Sequence, residues 1–308
     1  MKFTQNGVAV IGIDHGYGNI KTSNSVTLTG VTAYDSKPTF EGNIVHYDGV
    51  YYKIGENRKS FIADKDTDRD NYILTLFGIA RELSMVGKTE ASVHIAAGLP
   101  LAWVKEQRER FRRYLTQNTT VEFDLDNKHY NIRIVGCSVY PQGYTAVINR
   151  LHEMNGVNMI ADIGCGTLDL MYINNKKATD SKCWTEKLGV SKCVTMMKNA
   201  VMDKFHSTLY DETAEEYIRY GKADVSERHL KVMYATVREY CKMVLDTLYK
   251  YDYDPELMKL YIVGGGSCIL KNFACPHRGR VYFISDVCAA AKGYEYLAVQ
   301  QLQNNGRR

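Results

Sequence analysis

At 308 residues, 45% apolar and 24% charged, the chain is long enough for about two domains of roughly 150 residues, each able to bury a core; disorder is excluded as the main state. Thirty-nine basic against thirty-five acidic side chains leave +4, too small an excess to build a nucleic-acid groove, and no apolar run reaches the roughly 18 residues of a membrane span. Direct contact with nucleic acid or membrane is therefore not expected, and without a leader-like apolar stretch near Met1 the expected location is the cytoplasm.

In chain order, residues 8–13 form an apolar β-prone run ended by Asp14-His15-Gly16-Tyr17-Gly18-Asn19, and 20–29 read as extended again, together a hairpin. A strand pair is expected at 44–45 and 51–54 around Asp48-Gly49. Residues 92–97 read as a buried strand ending at Gly98-Leu99-Pro100, ahead of a charged helix over 103–115 whose Lys105–Arg113 segment carries five basic residues on a solvated face. A second hairpin follows at 121–123 and 130–135, and Tyr140-Pro141-Gln142-Gly143 opens a helix toward 151. Strand–turn–strand patterning returns at 159–172. Helices are expected over 190–205 and 226–249, then a strand at 260–263 entering Gly264-Gly265-Gly266, then a final helix over 287–302. Strands followed by helices, twice over, indicate two α/β halves. Eight cysteines without a Cys-x-x-Cys pair read as reduced thiols, and Cys268, Cys275 and His277 around Pro276 lack the fourth ligand of a zinc site and read as a loop.

Placing Asp14 over Asp162 aligns residues 14–21 with 162–169, with the Asp and both glycines identical. Each copy follows one apolar strand and precedes another, as a duplicated domain would require. Glycines at 16, 18, 164 and 166 let backbone N–H groups approach phosphate oxygens, and an Asp at each strand end suits a divalent cation held through its water shell. Lys21 and Thr167 are then candidates for phosphate contacts. The triple glycine at 264–266 is a turn against which a flat base can lie.

These residues together resemble the actin-like ATPase superfamily, and within it the ParM-type plasmid-segregation actins. The resemblance is carried by residues 14–21 and 162–169 as two phosphate motifs, by Gly98-Leu99-Pro100-Leu101, and by Pro141-Gln142-Gly143 as a first connecting helix. Val263-Gly264-Gly265-Gly266 matches the adenosine motif, and Ala289-Ala290-Ala291-Lys292-Gly293-Tyr294 the second connecting helix. It implies an α/β actin-like fold of two duplicated ribonuclease-H-like domains around a nucleotide cleft: domain I over 1–144 with the C-terminal helix 287–308 returning to it, and domain II over 145–286. It also implies an ATPase, with ATP or GTP and Mg2+ as cofactors, that polymerises into filaments segregating plasmid or other mobile DNA through a small ParR-type adaptor. A filament for cell shape without DNA cargo, and a small-metabolite kinase, are the alternatives.

By the same resemblance Gln142 orients the attacking water, Asp14 and Asp162 hold the metal, and Gly16, Tyr17, Gly18, Asn19, Lys21, Gly164, Cys165, Gly166 and Thr167 line the phosphates. Gly264, Gly265, Gly266, Glu239 and Lys242 fall to the nucleoside, although Glu239 and Lys242, one turn apart, also read as an intrahelical ion pair. His15 is unusual in such a motif and reads as a solvent-facing turn residue that can approach phosphate.

Overall fold

The computed structural model describes residues 1–39, 42–56, 68–274 and 279–305; Cys275, Pro276 and His277 lie outside them. The chain divides into two compact units, Met1–Ile148 with Cys288–Arg308, and Asn149–Val287.

The first unit runs β1 (Lys2–Phe3), β2 (Ala9–His15), β3 (Asn19–Thr22), β4 (Val26–Leu28), β5 (Val31–Tyr34), β6 (Ile44–Tyr47), β7 (Val50–Ile54), α1 (Arg69–Ser84), β8 (Glu90–Leu99), α2 (Leu101–Leu115), β9 (Thr120–Leu125) and β10 (Lys128–Pro141). Its sheet has the order β4-β3-β2-β8-β10-β9-β6-β7-β5, with β1 beside β2. β2, β8 and β10 are mutually parallel, and every residue of β2 is buried, as expected of a central parallel strand covered on both faces. α1 escapes a sequence reading based on amphipathicity because it is apolar nearly all round; residues 71–80 are all buried. Its start is marked instead by Asp68, whose side chain accepts from Asp70 N. α2 has the opposite character. Val104, Phe111 and Leu115 face inward while Lys105, Arg108, Arg110, Arg112 and Arg113 are exposed.

A 3₁₀ helix over Thr145–Glu153, where an ordinary helix was expected, leads into the second unit. That unit contains β11 (Val157–Ile163), β12 (Leu168–Asn174), β13 (Lys177–Glu186), α3 (Val190–Phe205), α4 (Asp211–Tyr220), α5 (Glu227–Lys250), β14 (Lys259–Val263), the short α6 (Ser267–Ile269) continued by a π turn over Leu270–Ala274, and β15 (Val281–Phe283). Sheet order is β13-β12-β11-β14-β15, with β11, β14 and β15 parallel.

α7 (Ala289–Asn305) returns to the first unit and packs on β2 and β8, where Tyr294 and Ala298 close over Val10 and Ala96. The fit depends on bare backbone: a Cβ at Gly12 would run into the Ala291 carbonyl, and one at Gly293 into the Thr145 carbonyl. Beside this seam the N-terminal ammonium is buried against Glu82 Oε2 of α1 at 2.8 Å and Glu295 Oε2 of α7 at 3.0 Å. Thr22 and Asn24 add hydrogen bonds to Glu82, so this carboxylate is compensated on all sides.

Among the described residues no helix is long and apolar enough to cross a membrane. Cys137, Cys193, Cys241 and Cys288 are buried, and burial pushes the Cys137 thiol up to about 12 and that of Cys241 up to about 11.

Candidate functional site

The two sheets repeat one another at the level of register. β2 and β3 pair Ile13 with Thr22, Asp14 with Lys21 and His15 with Ile20. β11 and β12 pair Ala161 with Leu170, Asp162 with Asp169 and Ile163 with Leu168, the same three pairs displaced by the 148 residues that separate Asp14 from Asp162. Each hairpin is flanked by a parallel strand on its other side, β8 beside β2 and β14 beside β11. Each therefore presents an Asp at the end of a central strand, next to a glycine-rich turn.

In the first hairpin the Asp14 carboxylate is buried and accepts a hydrogen bond at each oxygen. Lys21 Nζ donates to Oδ2 at 2.7 Å, and Gln142 Nε2 donates to Oδ1 at 3.1 Å. The same Gln142 amide also donates to Gly98 O at 3.4 Å, and its backbone N–H donates to Leu99 O at 2.8 Å. With Nε2 committed twice, the end of the side chain left to act is the carbonyl Oε1, an acceptor suited to the proton of a water. Gln142 sits in the turn before the 3₁₀ helix, held there by β8 and the Asp14 strand end. Lys21, expected to reach a phosphate, is paired with Asp14. Around the turn, Gly16 N donates to Asp14 O, Thr29 Oγ1 donates to Tyr17 O at 2.6 Å, and Thr29 N donates to Gly18 O.

His15 departs from the solvent-facing reading. It is 2% exposed, with Nε2 2.8 Å from Thr75 Oγ1 of α1 and its ring edge-on to Phe111 of α2. The reason lies in strand alternation: Asp14 and His15 point to opposite faces of β2, and the helices cover the His15 face.

In the second hairpin Gly164 N donates to Thr167 O at 2.9 Å. The carbonyls of Gly164, Cys165 and Gly166 accept from the N–H groups of Val190, Ser191 and Gly189, so the loop caps the start of α3 and the positive end of that helix lies directly behind it. Thr167 Oγ1 donates to Asp169 Oδ2 at 2.9 Å, and Thr185 Oγ1 of β13 donates to Asp169 Oδ1 at 2.5 Å. The Thr167 proton is thus spent on Asp169, which makes the hydroxyl an acceptor; it suits a cation's water better than a bare phosphate oxygen. Thr185 was not singled out from sequence, because β13 reads as polar until its edge position beside β12 is known, and Asp169, the last residue of the second aligned segment, was given no role of its own.

Gly264 follows β14 at φ +83°, and a Cβ there would meet the Asp162 carboxylate and Ile163 O; Gly266 N donates to Ile163 O at 2.9 Å. Gly264, Gly266 and Asp162 therefore form one packed corner, while Gly265 is exposed with nothing within 4 Å of a would-be Cβ. Cys268 is tied into the same turn, its Sγ donating to Gly265 O at 3.2 Å. Glu239 and Lys242 are both exposed on α5, and among the described residues no ion pair joins them. Their expected intrahelical pairing is absent.

For a magnesium ion the donors fit in kind. Each hairpin offers one strand-end carboxylate and neutral oxygens, and among the described residues no cluster of three metal-ligating side chains exists, so a cation here would keep waters and lean on ligand oxygens, the habit of Mg2+.

Residues 12–144 match the family model described as the N-terminal domain of actin-like proteins. No curated protein matches the sequence. Among solved structures, an archaeal actin homolog is 16% identical at TM-score 0.78, covering 95% of this chain and 100% of its own, and is also known in complex with ADP. The apo psk41 ParM protein is 15% identical at TM-score 0.74, covering 98% of this chain and 100% of its own. Alp12, in a filament structure, is 17% identical at TM-score 0.70, covering 96% of this chain and 99% of its own.

Proposed function

On the premise of an actin-like fold whose residues 12–144 are an actin-like N-terminal domain, we propose that this chain is a nucleotide-dependent polymerising ATPase. The observation that carries the reading is the register identity of the two hairpins, which repeats a strand-end Asp beside a glycine turn at the spacing of one domain. In each unit a phosphate at the turn would use the strand-end Asp and the glycine backbone that the repetition supplies.

The hydrogen bonds support the following roles. Backbone N–H groups of the turns at 17–19 and 165–167 are offered to the phosphates, since those of Gly16 and Gly164 are spent within the turns, and Lys21 exchanges its Asp14 contact for phosphate oxygen. Gly265 supports the nucleoside, with Glu239 and Lys242 offered from α5. Asp14 and Asp162 would hold Mg2+ through its waters, with Thr167 accepting from one of them; the ion, when bound, neutralises charge on the phosphates. Gln142 has no basic group at neutral pH, so its part is positional: Asp14 and Gly98 fix the amide, and Oε1 orients the attacking water in line. ATP and GTP both fit this description.

Self-assembly is supported by likeness to a protein whose structure is that of a filament. We assign the filament to segregation of plasmid or other mobile DNA on its likeness to ParM, with a small ParR-type adaptor making the DNA contact that a net charge of +4 does not favour directly. Sedimentation of the purified chain with and without ATP and Mg2+ tests the core of this reading: nucleotide-dependent pelleting with phosphate release is expected, and turnover on a small acceptor without polymer would favour the kinase. Recovery of a small DNA-binding adaptor with the filaments separates segregation from a role in cell shape.

A further inference from the structure

The duplication supplies an internal comparison for His15. Its counterpart in the second hairpin is Ile163, a fully buried aliphatic. The first hairpin puts a 2% exposed imidazole at the same register position. The bond it makes has a defined direction. Thr75 Oγ1 donates its own proton to Asn71 O at 2.7 Å, so at the 2.8 Å contact the hydroxyl accepts and His15 Nε2–H donates. The ring therefore carries a proton on Nε2, and it is wedged between α1 through Thr75 and α2 through Phe111. Desolvating an imidazole where an aliphatic side chain would pack costs free energy that its polar contacts must offset, so burial alone gives no reason for a histidine here.

We propose that His15 is a positioning residue: an imidazole donating from Nε2 that pins the end of β2 to α1 and α2 and so holds the adjacent Asp14 carboxylate in the orientation that receives the magnesium–nucleotide complex. The inference rests on the nucleotide reading above and adds to it a side chain that faces away from the phosphates. Among the described residues only this hairpin is tied to helices through an imidazole. Ile163 instead packs beneath Gly266, so the second hairpin is held by close apolar contact.

The test uses the full chain with ADP as probe. Calorimetric affinity is measured in Mg2+ and again in EDTA for wild type, His15→Leu, His15→Gln and Thr75→Val, and a long-range 15N–1H spectrum of wild type reads the tautomer. Glutamine places its Nε2 the same number of bonds from Cβ as the imidazole Nε2 and retains the donor. His15→Leu and Thr75→Val are expected to weaken binding in Mg2+ by roughly ten- to a hundredfold, the range typical of groups that orient metal-site ligands, with much less change in EDTA. His15→Gln should recover most of the loss, and the spectrum should show the Nε2–H form. Wild-type affinity in both His15→Leu and Thr75→Val, equal losses in the Leu and Gln variants, equal losses with and without Mg2+, or a ring whose Nε2 carries no proton would each overturn the proposal. A wild-type chain that binds no ADP would remove the functional reading itself, and this inference with it.

Discussion

The three successive glycines after β14 give a test in which fold and binding separate residue by residue. At Gly265 a new side chain enters open space and the backbone is not in the left-handed region, so Gly265→Val should shift stability by no more than about 0.5 kcal/mol, as at an ordinary surface position. Gly264 differs in two respects: φ is +83°, and a Cβ would lie 2.5 Å from Ile163 O and against the Asp162 carboxylate. The left-handed conformation costs a non-glycine residue about 1–2 kcal/mol and overpacking about 1–3 kcal/mol, so Gly264→Ala should lose about 2–5 kcal/mol. At Gly266 only the second contribution applies, since a Cβ would sit 2.9 Å from Val190 Cγ2 and against Ile163, and the loss should be about 1–3 kcal/mol. At roughly 2–4 °C per kcal/mol for units of this size, thermal unfolding should place Gly264→Ala on the order of 10 °C below wild type and leave Gly265→Val beside it. Titration with a fluorescent ADP analogue should rank the same proteins differently, with folded Gly265→Val losing at least about tenfold in affinity, or 1.4 kcal/mol. Undiminished affinity in Gly265→Val would remove the nucleoside from this turn; an unchanged melting temperature for Gly264→Ala would show the corner to be looser than its contacts imply.

Other expectations follow from single bonds. Asp14→Ala and Asp162→Ala should each abolish magnesium-dependent phosphate release, and turnover persisting in both variants would refute the two-hairpin reading. Gln142→Ala leaves the nucleotide contacts of both hairpins in place, so filaments should still form while phosphate release slows by roughly ten- to a thousandfold; light scattering and phosphate release followed together check it. Gln142→Glu brings a second carboxylate against Asp14 where an amide now donates, so one of the two should hold a proton to higher pH, and the pH profile of hydrolysis should gain a step that wild type lacks. Burial raises the pKa of Glu82, but hydrogen bonds from the N-terminal ammonium, Thr22 and Asn24 outweigh it and hold the carboxyl below its usual 4.5. Its stabilisation is thus complete above that value and is lost as pH falls through the depressed one, so acid titrations of wild type and Glu82→Gln should converge below pH 4.5.

What could be read from the sequence was whatever repeats or punctuates. Asp14 and Asp162 align because strand, Asp and glycines recur together, and the hairpin expected from strands at 121–123 and 130–135 turns at Asp126-Asn127, both of which adopt positive φ. α3, whose apolar positions follow one stripe, spans the residues its pattern indicates. α1 was hidden for the opposite reason, since a helix buried on all sides carries no periodicity. β13 was hidden because an edge strand tolerates polar residues on both faces. Within the candidate site, residue types were legible but their couplings were not. That Lys21 is paired with Asp14, that Thr167 gives its proton to Asp169, and that His15 faces helices instead of solvent are facts of alternation and distance, which appear only once strands are set side by side.

The capping of α3 by the loop at 164–166 has a mechanical side. Three consecutive backbone bonds join a three-residue loop to a helix of 16 residues, so the loop cannot tilt without either breaking those bonds or carrying the helix with it. At 1.5 Å per residue the helix is a rod of about 24 Å, and a rotation of about 10° at its capped end sweeps the far end through about 4 Å. A tilt of the loop would therefore reach side-chain size near Phe205 only if the core contacts of Cys193, Val194, Met197 and Val201 moved with the helix. The amides of Gly189, Val190 and Ser191 are the joint of this lever, and the rate at which they exchange with deuterium reports, without any label, whether the joint is closed.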